Sequence, residues 1–283
     1  YFNTAIGHLT DFVVPLYRLT GEDMGLLENQ DIHDTITWKL YMWGGDGKVL
    51  NFSDVSEFTW PLGLPHLYWW SHHLDRPDWT WDNDRRVSAV HGRPGLFHDI
   101  ESFWYREAFA PAEVPQLRRL RHFKGIDWLT WHGDHTWLGF RSGFNGGNHD
   151  NDDLGTFILG IDAERFLCDP GYGAVKASQH NCVTLRRHEQ TDGATARILR
   201  LDKMPDGFYL ECDLHEAFPH MVKHYRRHLL MIDDRHLLLL DDILGTRVRI
   251  DTRGFFQPRL PVRLEDKRFV VAGQENTLRT HYL

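Results

Sequence analysis

One stretch of this chain gathers most of the residues that can do chemistry. It runs Gly143-Phe-Asn-Gly-Gly-Asn-His149-Asp-Asn151-Asp-Asp153-Leu-Gly155-Thr-Phe157 and continues as Leu167-Cys-Asp169-Pro-Gly171-Tyr-Gly173. Ser178-Gln-His180-Asn181 and Glu189-Gln190 complete it. A glycine-rich lead-in lets backbone approach a ligand closely, and here a polar cluster follows it immediately ahead of an apolar strand. His149, Asp152, Asp153, Asp169 and His180 carry nitrogen and oxygen donors suited to a borderline divalent ion such as zinc. Asp and Asn also cap turns between strands, so spacing alone leaves both readings open.

The composition around this stretch narrows what it can serve. With 283 residues and 41% hydrophobic content, the chain can bury the core of one large domain or two ordinary ones, and disorder is excluded. Its formal charge of −8 argues against a general binder of nucleic acid or membrane surfaces, which needs a net basic field. Local basic sites remain open. Aromatic residues make up 13% of the chain, with 11 Trp among them, and there are 19 His, more of each than a core requires. Flat aromatic faces suit sugar rings, because they offer apolar area at low entropic cost. Cys168, Cys182 and Cys212 are odd in number and form no C-x-x-C pair, so neither a disulfide framework nor a thiolate zinc knuckle is expected. The longest apolar runs, such as Leu237 to Leu240, are too short to span a bilayer. The chain opens on Tyr1 with no leader pattern ahead of it, and reads as the continuation of something longer.

The elements that must position these residues change character along the chain. Ile6, Leu9, Phe12, Val13, Leu16 and Leu19 recur every three or four residues, which predicts a helix over Asn3 to Leu19 stopped at Gly21. A second helix is expected around Met24 to Asp31, Ile36 to Met42 fits either type, and Gly44 to Gly47 reads as a turn. The Trp- and His-rich region Leu62 to Asp84 reads as helix plus loop, and Leu96 to Phe109 as one more helix. After Pro115 come short β-type runs: Thr136–Arg141, Thr156–Ile161, Arg165–Cys168, Asn181–Leu185, Tyr225–Ile232, His236–Ile243, Thr246–Asp251 and Arg268–Val271. Helices first and strands second predict an α+β protein, with a helical part over 1–115 and a β part over 116–283.

Between Trp137 and Gln190 the order of motifs resembles a known family. A Gly-rich turn, His149 and Asn151 ahead of Asp153-Leu-Gly-Thr-Phe157, Asp169-Pro-Gly-Tyr-Gly173, His180-Asn181 and Gln190 are similar to the C-terminal β-domain of the heparinase II/III-like polysaccharide lyases, which include the oligoalginate lyases. Tyr225-Arg226-Arg227 with Leu237 to Ile243 resembles that family's later strand pair, and Gly44 to Asp54 its exit from the helical domain. The resemblance implies the last helices of an incomplete (α/α) toroid followed by an antiparallel β-sandwich. It also implies β-elimination on a uronate-containing acidic poly- or oligosaccharide, a periplasmic or secreted location, and room for a homodimer. On this resemblance His149 is the catalytic histidine facing the uronate, Tyr1 stands in the position of the catalytic tyrosine, and Asp169 and His180 are zinc ligands. Asn151 falls where the family has the third, a histidine; an amide oxygen is the weaker zinc ligand. An Asn-His pair that the family uses would lie upstream of Tyr1. Arg141 is a candidate partner for acidic sugars, and Trp69 and Trp70 are candidates for stacking on them, alongside Trp79 and Trp81. Two other readings stand beside the lyase: a carbohydrate-binding or structural β-domain without turnover, and a metal-dependent hydrolase using His149, Asp152, Asp153 and His180.

Overall fold

The computed structural model describes residues 2–55, 64–89, 102–106, 112–173, 176–247, 251–265 and 268–281. The chain is α+β and divides into two compact units, Tyr1–Tyr41 with Trp60–Leu117, and Met42–Thr59 with Arg118–Leu283.

In the helical unit, α1 (Phe2–Thr20) matches the expected helix to within a residue. Its buried stripe is Ile6, Thr10, Val13 and Val14, while Phe12 and Leu19 of the expected stripe are exposed. The face is thus rotated by about one residue from the one drawn through the large apolar side chains. Helix α2 (Gln30–Tyr41) starts later than the segment expected at Met24 to Asp31. Asp23 accepts from the Gly25 and Leu27 amides and folds that segment as a turn. The Asn29 side chain then accepts from the Asp31 and Ile32 amides and caps α2. Helices α3 (Leu67–His73) and α4 (Pro77–Ala89) fill most of the Trp- and His-rich region. Of the helix expected over Leu96 to Phe109, residues 102–105 are helical, and 96–101 and 107–109 lie outside the described residues.

Two five-stranded antiparallel sheets dominate the β unit. The first runs in the order β1 (Leu120–Phe123), β2 (Trp128–His132), β3 (Thr136–Arg141), β5 (Phe157–Ile161), β6 (Glu164–Leu167). The second runs β11 (His236–Gly245), β10 (Val222–Ile232), β9 (Gly207–Asp213), β8 (Thr195–Met204), β4 (Gly143–Phe144). A pair, β7 (Val183–Leu185) with β12 (Thr252–Gly254), and a three-stranded sheet of β13 (Val262–Glu265), β14 (Arg268–Ala272) and β15 (Thr277–Arg279) complete it. Leu129, Trp131, Leu138 and Phe140 from the first large sheet and Phe208, Leu210, Leu229 and Met231 from the second meet in one buried cluster. Alternation sets the register: in β10, Tyr225, Arg227, Leu229 and Met231 are buried while the residues between them reach outward. Of the expected strand Thr246 to Asp251, residues 248–250 lie outside the described residues, and Thr246 and Asp251 are not in a strand.

The segment Met42–Thr59, expected in the helical part, belongs to the β unit instead. Buried Arg165 on β6 explains why. Its guanidinium donates to Asp46 at 2.9 Å and to the Asn51 side chain at 2.9 Å, and Leu50 and Phe52 are buried. Gly171 sits at φ +66°, and a Cβ there would meet the Val55 carbonyl oxygen at 2.2 Å, so the Asp-Pro-Gly loop can lie against this segment only as glycine.

Asp234, buried in the β10–β11 turn, accepts from Trp131 Nε1, the His135 and Thr136 amides and the Thr136 hydroxyl, tying this turn to the β2–β3 turn. Burial alone would raise its pKa, but these four donors hold the carboxyl below its ordinary value. A carboxyl whose pKa is depressed by folding contributes stability above its unfolded pKa, which is lost as pH falls through the folded one. Stability should therefore fall on acidification below about pH 4, and Asp234→Asn should flatten that limb of a melting-temperature profile.

Candidate functional site

The chemically dense loop leaves β4 and is held at both ends. The buried Asn145 side chain accepts from the Ala194 amide at 2.7 Å, and the Asn145 backbone N–H donates to the Ala194 carbonyl at 3.1 Å, so the loop starts fixed against the start of β8. Asp150 accepts from Arg141 Nη2 at 2.9 Å and from the Gly147 amide at 3.0 Å, closing a turn around His149. His149 adopts φ +69°, a left-handed conformation that costs a non-glycine residue about 1–2 kcal/mol. Its Nδ1 lies 2.8 Å from Asp54 Oδ2, and its ring is partly exposed. A carboxylate only accepts, so Nδ1 carries the proton and donates it. Asp54 thereby orients the ring.

Behind this loop lies a buried polar cluster. Asp153, Asp169 and His180 each place a ligand atom within 4.8 Å of the others, and all three are buried. His180 Nδ1 is 2.8 Å from Asp169 Oδ2, and the other Asp169 oxygen accepts from the Gly171 amide. Arg141 donates to Asp153 Oδ1, yet among the described residues Asp153 Oδ2 has no hydrogen-bond partner, and neither does either polar atom of the buried Asn151 side chain. Burial raises the Asp153 pKa, Arg141 opposes the rise and the Asp169 carboxylate adds to it. Asp152, half-buried, is pushed to about 6 by burial and by the charges of Glu189 and Asp192. Unpaired buried acceptors cost about 1–3 kcal/mol each, and a cation would satisfy them and offset the excess negative charge together. One imidazole, two carboxylates and an amide oxygen are a donor set that fits a borderline divalent ion such as zinc.

Clamps from neighbouring elements hold the cluster in place. The Gln190 side chain exchanges two 3.0 Å hydrogen bonds with the backbone of Leu154. The Asn181 side chain donates to the Phe157 and Cys168 carbonyls and accepts from the Gln257 amide. Buried Arg227 on β10 donates to the Gly155 and Asn181 carbonyls at 2.7 Å each and is paired with Asp241. The histidine, aspartate, asparagine and glutamine motifs thus converge on one region, with His149 on the loop that leads into it.

The other sequence-based candidates lie elsewhere or do other work. The Arg141 side chain is buried with Asp150 and Asp153 on its guanidinium, so it supports the loop from within. Trp69 and Trp70 are both fully buried in the helical unit, packed edge to face with centroids 4.9 Å apart. Trp70 Nε1 donates to Thr10. Both rings belong to the core of that unit, where packing takes the faces that a sugar would need. Arg226 is paired with Glu211. Tyr1 lies outside the described residues. Asp54, which holds His149 from 95 positions away, was missed, and Asp153, read from the sequence as a possible donor but left out of the ligand set that the resemblance implies, lies in the buried cluster. Asp54 carries no local signal, whereas the carboxylate of Asp153, two residues past Asn151, was visible as a donor.

By sequence, no family model and no curated protein matches the chain. By structure, a heparan sulfate lyase from Pedobacter heparinus superposes with a TM-score of 0.69 at 14% identity, over 99% of this chain and 43% of that one. A heparinase III superposes with a TM-score of 0.65 at 12% identity, over 96% of this chain and 44% of that one. The chain shares the fold of heparinase III. A further heparinase III gene product gives 0.59 at 16% identity, over 86% of this chain and 38% of its own. The resemblance read from the motifs therefore holds at the level of fold, and the chain spans about two-fifths of the length of these heparinase structures.

Proposed function

We propose that this chain is the C-terminal portion of a polysaccharide lyase, the end of an (α/α) toroid followed by a β-sandwich, that cleaves a uronate-containing acidic polysaccharide by β-elimination. The observation that carries this reading is His149, set on left-handed backbone, oriented by Asp54 and backed by the Asp153/Asp169/His180 cluster. The barrier in such a reaction is the weak acidity of the C5 proton beside a carboxylate. The His149 ring, oriented by Asp54, would face that carboxylate, and a donor placed there lowers the cost of the enolate-like transition state, by several kcal/mol in sites of this kind. A tyrosine that removes the C5 proton and returns it to the leaving oxygen completes the step, and Tyr1 is our candidate.

Zinc is the metal we assign to Asp153, Asp169 and His180 with the Asn151 amide oxygen, where it would supply a fixed charge that locks the loop carrying His149. Metal analysis should find one equivalent per chain. Chelation should lower the melting temperature by about 5 °C, as expected for a site near a hundredfold saturation. Asn151→His should raise zinc affinity by about tenfold or more, because imidazole replaces a neutral amide oxygen. A metal-free protein whose melting is unmoved by zinc would remove the metal from the site.

Incubation with heparan sulfate, alginate and hyaluronan while recording near-ultraviolet absorbance tests the reaction. A lyase generates unsaturated uronate and new absorbance. A hydrolase produces reducing ends without it, and a binding domain, the reading that Asn151 in the histidine position favours, produces neither.

A further inference from the structure

The β unit contains a groove of about 740 Å³ that borders the His149 loop through Arg141 and Asp150. It opens beside the β1–β2 turn and the first residues of β4 and β8, on the other end of Arg141's strand from the β2–β3 turn. Its volume lies within the range of small-ligand sites, which is about 300–1,000 Å³. The wall is built rather than incidental. Gly143 has φ +85°, and a Cβ there would meet the Ile126 carbonyl oxygen at 2.3 Å, so the β1–β2 turn reaches this position only against glycine. Asp127 locks the turn from inside. Its carboxylate accepts from His122 Nε2 at 2.5 Å and from the Ile198 amide at 2.7 Å, and its carbonyl accepts from the Ser142 hydroxyl.

The charges left over are of one sign. Asp127 is engaged by His122 and Ile198, and Asp150 by Arg141. Lys124 and Arg197, both exposed, line the groove and form no ion pair among the described residues. Arg141 is also part of the lining, and its buried Nε has no hydrogen-bond partner among the described residues. Between the cations lie apolar surfaces that a folded interior would ordinarily cover: Phe144 is 52% exposed and Ile126 44% exposed, with Trp128 beside them. Cations spaced around an open aromatic face match a ligand with anionic substituents on rings that have an apolar face.

From this we infer that the groove is a binding subsite for an anionic saccharide segment, in which Lys124 and Arg197 pair with sulfate or carboxylate groups and Phe144 stacks on a ring. The inference rests on the acidic-polysaccharide reading above and extends it to a groove that meets the His149 loop at Asp150. It explains how a chain with net negative charge can hold an acidic polymer: the attraction is confined to one lined groove.

Calorimetric titration of the intact chain with a sulfated heparan-type hexasaccharide, its desulfated counterpart and a neutral hexasaccharide tests it. For the unsubstituted chain we expect binding that weakens with salt, and none with the neutral sugar. The Lys124→Ala/Arg197→Ala double variant should bind at least tenfold more weakly with an unchanged melting temperature, since both side chains are exposed. Losses confined to the sulfated ligand identify sulfate as the anion, and equal losses with the desulfated one identify the carboxylate. Undiminished binding by the double variant overturns the groove and leaves the lyase reading standing. No binding of any acidic oligosaccharide by the unsubstituted chain overturns both.

Discussion

His149→Ala is expected to slow the release of unsaturated uronate by about 100- to 1,000-fold, the usual effect of removing one donor that stabilises a developing oxyanion. The melting temperature should barely move, because the ring is partly exposed and packs into no core. His149→Asn is the sharper companion variant. Asparagine tolerates left-handed backbone better than most residues, so it keeps the loop conformation while removing the imidazole. If His149→Asn kept normal turnover, a catalytic histidine at this position would be excluded. Asp54→Asn should have a smaller effect on rate, since it removes only the carboxylate that orients the ring.

Arg227→Ala is expected to be the most destabilising single change in the β unit, by about 3–5 kcal/mol, the range for breaking a buried ion pair from one side. Arg227 holds Asp241 through two bonds of 2.8 and 2.9 Å while donating to the Gly155 and Asn181 carbonyls. Those carbonyls belong to residues two past Asp153 and one past His180, so its loss also loosens the cluster. Lysine cannot reproduce a planar fork with several donors, and Arg227→Lys should recover only part of the stability. Urea midpoints measured with and without a chelator separate the two effects. In the variant, the difference made by chelation should shrink along with the midpoint itself.

The parts of the fold that were legible in the sequence are those where one physical pattern dominates. Strand β3 was read to the residue, because Thr136 to Arg141 is a β-type run with Gly133 and Asp134 before it and Gly143 after it. Strands β8 and β9 were not read. In β8 the alternation breaks at the register shift between Ile198 and Arg200, where Leu199 and Arg200 are both exposed, and no period of two survives. The site divides in the same way. Motif order singled out His149, Asn151, Asp169 and His180, and the structure buries Asp169 and His180 side by side with Asp153. Asp54 could not be found, because its pairing with His149 is made by the folding of a distant segment. Trp69 and Trp70 show the limit from the other side: a tryptophan doublet on a helix suits a sugar platform and a helical core equally well, and burial decided for the core.

The placement of Met42–Thr59 in the β unit has a consequence for how this molecule can be inherited and cut. Residues 60–117 interrupt the β unit in the manner of an insertion, since the chain enters it at Met42, leaves it, and returns at Arg118. A gene fragment beginning at Arg118 would encode strands that lack Leu50 and Phe52, leave Arg165 facing no Asp46 or Asn51, and strip His149 of Asp54. The two units are therefore not modules that recombination could exchange at a single breakpoint. A viable swap would need three, after residues 41, 59 and 117, so that both pieces of the β unit move as one.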